Sequence, residues 1–445
     1  MTSGSEDKPN LLFLTQRLPY PPNKGEKIRQ YQILRHLAQF YTIYLGCLID
    51  DPADRGYIGT IKALCRDVHT PSINRRLARL TCLTGWLTDE PLSVTFFRNA
   101  SLQRWVNEIV SRVRPQVIFV ISSNMAPYVL PLSHTGVCVV DLVDVDSEKW
   151  RAYANAAVWP MRAVYRREWR KVAALERQIV QECDRALFVS DAEAGVMAGQ
   201  VPEHAARIVG VSNGVDYEYF DPGLSYGSPF DGDAPTFVFT GTMDYPPNVD
   251  AVRWFAQEVL PVIRDAIPAA RFCVVGNHPA PAVLELRDID GVTVTGWVAD
   301  VRPYLAHATI AVAPMRIARG IQNKVLEAMA MACPIVVTDA ALEGIEAEAG
   351  VHLLVANDPQ AFAAACVRLV GPDGAALGRA ARLRVIARYD WAVRLQPLIG
   401  LLDRVGSLPP DVVTNGNATS DISSSDNQRL PTLAGNSNER AADGR

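Results

Sequence analysis

The sequence predicts an α/β chain of two doubly wound, Rossmann-like parallel sheets, and three observations predict it. Short runs of Val, Ile, Leu and Phe alternate with longer amphipathic stretches from residue 11 to about 390. Strands this apolar are buried on both faces, as parallel strands covered by helices are. The 445 residues exceed what one hydrophobic core supports, so two domains are expected. Glycine follows several of the predicted strands, as it does where a sheet's carboxyl edge turns around a ligand.

In chain order, the first half offers strands at LLFL (11–14), TIYLGCL (42–48), QVIFVIS (116–122), VCVVDLV (137–143) and RALFVS (185–190). The second offers TFVFT (236–240), RFCVV (271–275), VTVT (292–295), TIAVA (309–313), PIVVT (334–338) and a strand near 351–355. Between the halves, Ser212-Asn213-Gly214-Val215-Asp216 carries turn-forming residues, and 221–235 reads as a linker rich in Pro, Gly and Asp. The domains are therefore placed at 1–211 and 212–406, with the last helix of the second able to pack back on the first. Residues 407–445, rich in Ser, Asn, Asp and Gly, are expected to be a disordered tail in which the NAT sequon at Asn417 carries no meaning.

Composition narrows the function classes. A formal charge of -4 lacks the basic excess that phosphate-backbone binding leaves, so a nucleic-acid partner is not expected. The eight cysteines stand singly without a CxxC pair, which reads as reduced thiols of a cytoplasmic protein. No run reaches the roughly 18 apolar residues of a membrane span, and the polar, acidic start does not read as a signal peptide.

The stretch RIARGIQNKVLEAMAMACPIVVT (316–338) sets Arg316, Arg319 and Lys324 around Gly320, with Glu327 one helical turn further on. The helix starting near Asn323 follows strand 309–313, so its free amides and positive dipole end face the carboxyl edge. Gly320 permits close approach, Ile321, Gln322 and Asn323 form the entrance, and Arg316, Arg319 and Lys324 add charge; such a site suits a diphosphate. Glu327 is placed to accept hydrogen bonds from sugar hydroxyls beyond it. The competing reading is a glutamate that merely offsets the dipole, among solvated cations. The glycine loops Gly241-Thr242-Met243 and Gly296-Trp297-Val298 close neighbouring strands and favour a nucleotide cleft, with backbone near Trp297 and Val298 meeting the base. In the first half, Lys24, Gly25 and Lys27 follow strand 11–14 and are expected near the donor phosphates, against the alternative of an ordinary surface loop. Asp144-Val145-Asp146 follows strand 137–143. Asp144 or Asp146 is assigned to the acceptor or the donor sugar, with helix capping together with Ser147 as the alternative. His36, His204 and His307 fall within helical patterns and read as structural. Segment 73–98 sets Arg75, Arg76, Arg79 and Trp86 among leucines, which suits an anionic membrane or acceptor surface; a second basic cluster at 161–171 is a candidate to join it. Ordinary solvated helix faces are the alternative for both.

The layout FxGxM, then GWV before DVRPYLAHA, then APMRIARGIQNKVLEAMAMACPIVVT resembles retaining glycosyltransferases of family four with the GT-B fold. LLFLTQRLPYPPNKGEKIRQYQILRHL and SNGVD resemble that family's opening and its interdomain turn. The wording PPNKGEKIR, VDVDSEKW and RGIQNKVLEAM is similar to sugar transferases associated with PEP-CTERM/exosortase exopolysaccharide clusters. The resemblance spans roughly residues 10 to 400. It implies sugar transfer with retention from a nucleotide-sugar donor to a saccharide or lipid-linked acceptor, with no metal or other cofactor, the donor phosphate itself taking the acceptor proton. The residues assigned to catalysis are Glu327, Lys324, Arg319 and Asp144. Many relatives carry a second glutamate eight positions before the last, where this chain has Arg319, and an Arg and a Lys absent from GTMDYPPNVD. Two other readings are a nucleotide-sugar epimerase, for which no acid/base group stands out, and a non-catalytic nucleotide-sugar-binding component of a polysaccharide assembly complex.

Overall fold

Each group of apolar runs closes a parallel sheet. In the first, β1 (Asn10–Arg17), β2 (Thr42–Leu48), β3 (Asp67–His69), β4 (Val117–Ile121), β5 (Val137–Val143), β6 (Arg185–Phe188) and β7 (Ile208–Gly210) take the order β3-β2-β1-β4-β5-β6-β7. In the second, β8 (Thr236–Thr240), β9 (Arg271–Val275), β10 (Val292–Val294), β11 (Ile310–Ala313), β12 (Ile335–Val337) and β13 (Leu354–Val355) take the order β10-β9-β8-β11-β12-β13. All neighbouring strands are parallel. The computed structural model describes residues 8–22, 25–74, 78, 82, 89–318 and 320–403. The predicted tail, 407–445, lies outside them.

Strand order reverses between β1 and β4 and again between β8 and β11, and loops at such switch points form the ligand crevice of doubly wound sheets. The expected strands are all present. Two further ones, β3 and β7, are three-residue edge strands whose residues are only half-buried, so they lack the apolar run that marks a central strand.

Apolar clusters cover both faces of the first sheet, and one large cluster holds the second. The helices used below are α1 (Gly25–Leu37), α2 (Asp146–Ala156), α3 (Met161–Glu182), α4 (Pro246–Trp254), α5 (Asn323–Ala330) and α6 (Trp391–Leu402). In α6, Trp391, Leu395, Leu398 and Leu402 bury into the cluster that contains Phe13, Ile33 and Leu37, so the last helix among the described residues joins the first sheet's core. Where it crosses, the amide of Val215 donates to Tyr389 O at 2.7 Å. A Cβ at Gly214 would lie 2.8 Å from that same oxygen, so only glycine allows the approach.

Candidate functional site

Val325, Leu326, Ala328, Met329 and Ala330 bury the inner face of α5, which fixes the helix over the second sheet and leaves Lys324 half-buried in its first turn and Glu327 half-buried just beyond it. The preceding loop turns on Gly320, whose φ of +64° is left-handed and favours glycine. No atom lies within 4 Å of where its Cβ would be, so the loop is open on that side.

Lys324 Nζ donates to Asn248 Oδ1 at 2.6 Å and sits 4.5 Å from the centroid of the Phe239 ring. Asn248, buried on α4, donates from Nδ2 to Thr242 O at 2.9 Å. The amide side chain therefore ties the glycine loop after β8 to the ammonium of α5. Burial pushes Lys324 down to about 8, with Glu327 opposing, and pushes Glu327 up to about 7, with Lys324 opposing. The Glu327 carboxyl has no hydrogen-bond partner among the described residues, which leaves it free to accept from a ligand. Asn323, the first residue of α5, holds a buried Oδ1 without a partner among the described residues. A cation, helix amides and two unsatisfied acceptors thus converge on one helix entrance.

The neighbouring strand ends close in on it. Gly241 donates its amide to Val275 O at 3.0 Å, and a Cβ on Gly276 would lie 1.6 Å from Gly241 O, so the loops after β8 and β9 touch backbone to backbone. Thr242 is exposed there. After β10, Gly296 has a φ of +74° and Trp297 is 74% exposed, while Val298 packs against the core. Ile321 is also partly buried against that core, and Gln322 Nε2 donates to Gly320 O at 3.2 Å.

Several of the expected residues have partners that the sequence did not show. Met243 is fully buried, its amide donates to Asn277 O and its carbonyl accepts from Ala280, so it shapes the loop and has no group left for a donor. Arg316 is held in a two-point ion pair by Asp250 of α4, Nε donating at 3.0 Å, so its charge is already balanced. Lys27 is buried and bonds both carboxylate oxygens of Asp54 at 2.9 Å, which removes it from any phosphate. Gly25 opens α1 with nothing within 4 Å of a Cβ position. Lys24, Arg319, Arg75, Arg76, Arg79 and Trp86 lie outside the described residues.

Asp144 lies exposed at the end of β5, after Val143, whose φ of +69° is unusual for a β-branched residue. Although the residue as a whole is exposed, its carboxyl is partly desolvated, and this, then Glu193 and Asp146, pushes it up to about 6. It does not cap α2: the cap position is Val145, and the amides there are satisfied by Glu193 and Glu176, the latter accepting from Ser147 at 3.1 Å. Its carboxyl thus stays at the sheet's edge, without a capping bond.

A buried pair absent from the sequence reading organises this sheet. Arg29 Nε donates to Asp141 Oδ2 at 2.7 Å, while Nη1 reaches Val211 O at 2.8 Å and Asn213 Oδ1 at 2.9 Å. The signal for it was a lone aspartate inside the apolar strand VCVVDLV, since a carboxylate buried there demands a cation.

Residues 234–371 match the family model described as Glycosyl transferases group 1. This span is similar to that family. It contains β8 to β13, Asn248, Lys324 and Glu327. No curated protein is detectably similar in sequence. Among solved structures, HepE of Anabaena in complex with UDP and glucose aligns at 15% identity over 88% of this chain and 99% of its own, with a TM-score of 0.57. The sucrose-phosphate synthase of Thermosynechococcus elongatus aligns at 16% identity over 88% and 98%, with a TM-score of 0.60. TarM, a protein of S. aureus, aligns at 11% identity over 89% and 99%, with a TM-score of 0.59. At such identities the likeness establishes the fold, which is GT-B: two Rossmann-like domains facing each other across a cleft.

Proposed function

We propose that the protein is a retaining glycosyltransferase that moves a sugar from a nucleotide-sugar to a saccharide or lipid-linked saccharide in cell-surface exopolysaccharide biosynthesis, on the cytoplasmic side. The observation that carries this reading is the hydrogen bond from half-buried Lys324 to buried Asn248, beside an unsatisfied Glu327 near the entrance of α5. Lys324 and the first amides of α5 hold the leaving diphosphate, and Glu327 accepts from hydroxyls of the donor sugar. The bond from the anomeric carbon to the β-phosphate oxygen breaks as the acceptor oxygen bonds to that carbon on the same face. The acceptor proton passes to the departing phosphate oxygen, so no protein nucleophile is required. Asp144, across at the edge of the first sheet, orients the acceptor. UDP-sugars are the first donors to test, because HepE has been crystallised with UDP-glucose and TarM with UDP.

Purified protein incubated with UDP-, GDP- or ADP-sugars and candidate acceptors should release nucleoside diphosphate only when acceptor is present, and the product's anomeric proton should show the donor's configuration. Inverted product would remove the retention claim. Binding of a nucleotide-sugar without acceptor-dependent release, across a broad acceptor panel, would favour a non-catalytic binding component.

A further inference from the structure

Ser147 faces Glu176, and Tyr153 packs on Tyr165, with ring centroids 5.9 Å apart, so α2 and α3 form an antiparallel hairpin. Because α3 leads back to the amino end of β6, α2 runs the other way, out from the carboxyl edge where Asp144 lies. Eleven helical residues at about 1.5 Å each carry the hairpin tip roughly 16 Å beyond that edge.

The tip is apolar and uncovered. Val158 is 80% exposed and Trp159 82%, with Met161 and Tyr153 exposed beside them, while Trp150, Tyr153 and Tyr165 form an aromatic cluster that stiffens the hairpin below. Arg162, Arg166 and Arg170 are exposed and follow at four-residue intervals on one side of α3, and none has an ion pair or hydrogen bond among the described residues. With Trp159, Arg167 and Lys171 they line an open groove of about 580 Å³. From Lys149 to Arg167 the chain has five Lys or Arg and no Asp or Glu. A solvated helix face usually mixes both signs, whereas a row of one sign beneath an exposed tryptophan matches the layering of an anionic bilayer, phosphates outside and acyl chains within.

We propose that the tip of the α2–α3 hairpin docks on an anionic lipid bilayer, with Val158, Trp159 and Met161 entering the interface and Arg162, Arg166 and Arg170 meeting lipid phosphates. The docking holds the acceptor edge of the first sheet against the membrane. It stands independently of sugar transfer, since a binding assay reads it without donor or acceptor.

The test is co-sedimentation of the full chain with phosphatidylcholine vesicles, with and without phosphatidylglycerol. The parent should sediment only when phosphatidylglycerol is present and should be released by salt. Arg162→Glu, Arg166→Glu and Arg170→Glu combined should lower partitioning by on the order of a hundredfold, about fivefold per arginine. Val158→Ser, Trp159→Ala and Met161→Ser combined should weaken binding while keeping its salt dependence. All six positions are exposed, so both variants should unfold at the parent's temperature, which guards against a folding artefact. The proposal is overturned if the parent binds neither vesicle, if the charge-reversed protein sediments as well as the parent, or if only Arg75→Glu, Arg76→Glu and Arg79→Glu release it.

Discussion

Asn248 stands between the glycine loop after β8 and helix α5: its Oδ1 accepts from Lys324 at 2.6 Å and its Nδ2 donates to Thr242 O at 2.9 Å. The amide thus fixes where the ammonium sits without neutralising it, which suits a cation meant for a diphosphate rather than for a structural carboxylate. Asn248→Ala should therefore weaken UDP binding by unpinning Lys324, and Lys324→Met should weaken it more. Loss of a charge-assisted hydrogen bond costs about 1.5–3 kcal/mol, or roughly 10- to 150-fold in Kd, readable by calorimetry. Near-parental UDP affinity in Lys324→Met would move the diphosphate elsewhere.

Glu327 should separate donor from product. Glu327→Gln keeps the shape of the carboxyl but loses its charge, so it should lower kcat/KM for the nucleotide-sugar by about 10²-fold or more while leaving UDP affinity within a few-fold of the parent. Equal losses for both ligands would place Glu327 at the phosphates.

The same two groups set a pH profile. In the proposed reaction Glu327 acts ionised and Lys324 protonated, so kcat/KM should rise through pH about 7, fall through about 8, and peak in the narrow band between. Stability follows a linked rule. Glu327 is raised above its ordinary 4.5, so its contribution to stability is complete below that value and lost as pH climbs through about 7. Lys324 is lowered from 10.5, so its contribution is complete above that value and lost as pH falls through about 8. The Glu327→Gln variant should accordingly gain Tm relative to the parent as pH rises from about 5 to about 7. A difference that stays flat over that interval would mean Glu327 is not desolvated in solution.

The two sheets were legible because parallel strands buried on both faces leave unbroken apolar runs, and β3 and β7 were not because half-buried edge strands leave none. Lys324 and Glu327 could be placed from sequence alone, since a helix entrance after a strand has a fixed position in a doubly wound fold. Partners could not. Lys27 and Arg316 read as free cations, yet their carboxylates, Asp54 and Asp250, come from 27 and 66 residues away in the chain. Asn248 was hidden for a related reason. It shares the buried face of α4 with Ala251 and Val252, and a polar residue in that pattern says only that some partner exists, not which one.

Arg29 should prove structural rather than catalytic, because Asp141 is fully buried beneath it and the guanidinium also holds Val211 O and Asn213 at the turn into the second sheet. Arg29→Ala leaves an unpaired buried carboxylate and should cost about 3–5 kcal/mol in denaturant unfolding. Arg29→Lys keeps the charge without the fork and should fall in between. An Arg29→Ala protein with the parent's unfolding midpoint would show that the pair contributes nothing net.

The last expectation is that transfer needs no divalent ion. In the proposed site Lys324 and the amides of α5 would supply the positive charge at the leaving diphosphate, so a metal would duplicate them. Activity should survive excess EDTA. The alternative has a specific location: Asp144 and Asp146 flank Val145 at the end of β5, and desolvation together with nearby carboxylate charge raises both their carboxyls, a cost that a bound cation would relieve. If EDTA abolishes transfer and Mn²⁺ restores it, Asp144→Asn should abolish the rescue, and the role of Asp144 would change from orienting an acceptor hydroxyl to holding the metal. If EDTA has no effect, Asp144→Asn should instead raise KM for the acceptor and leave KM for the donor unchanged.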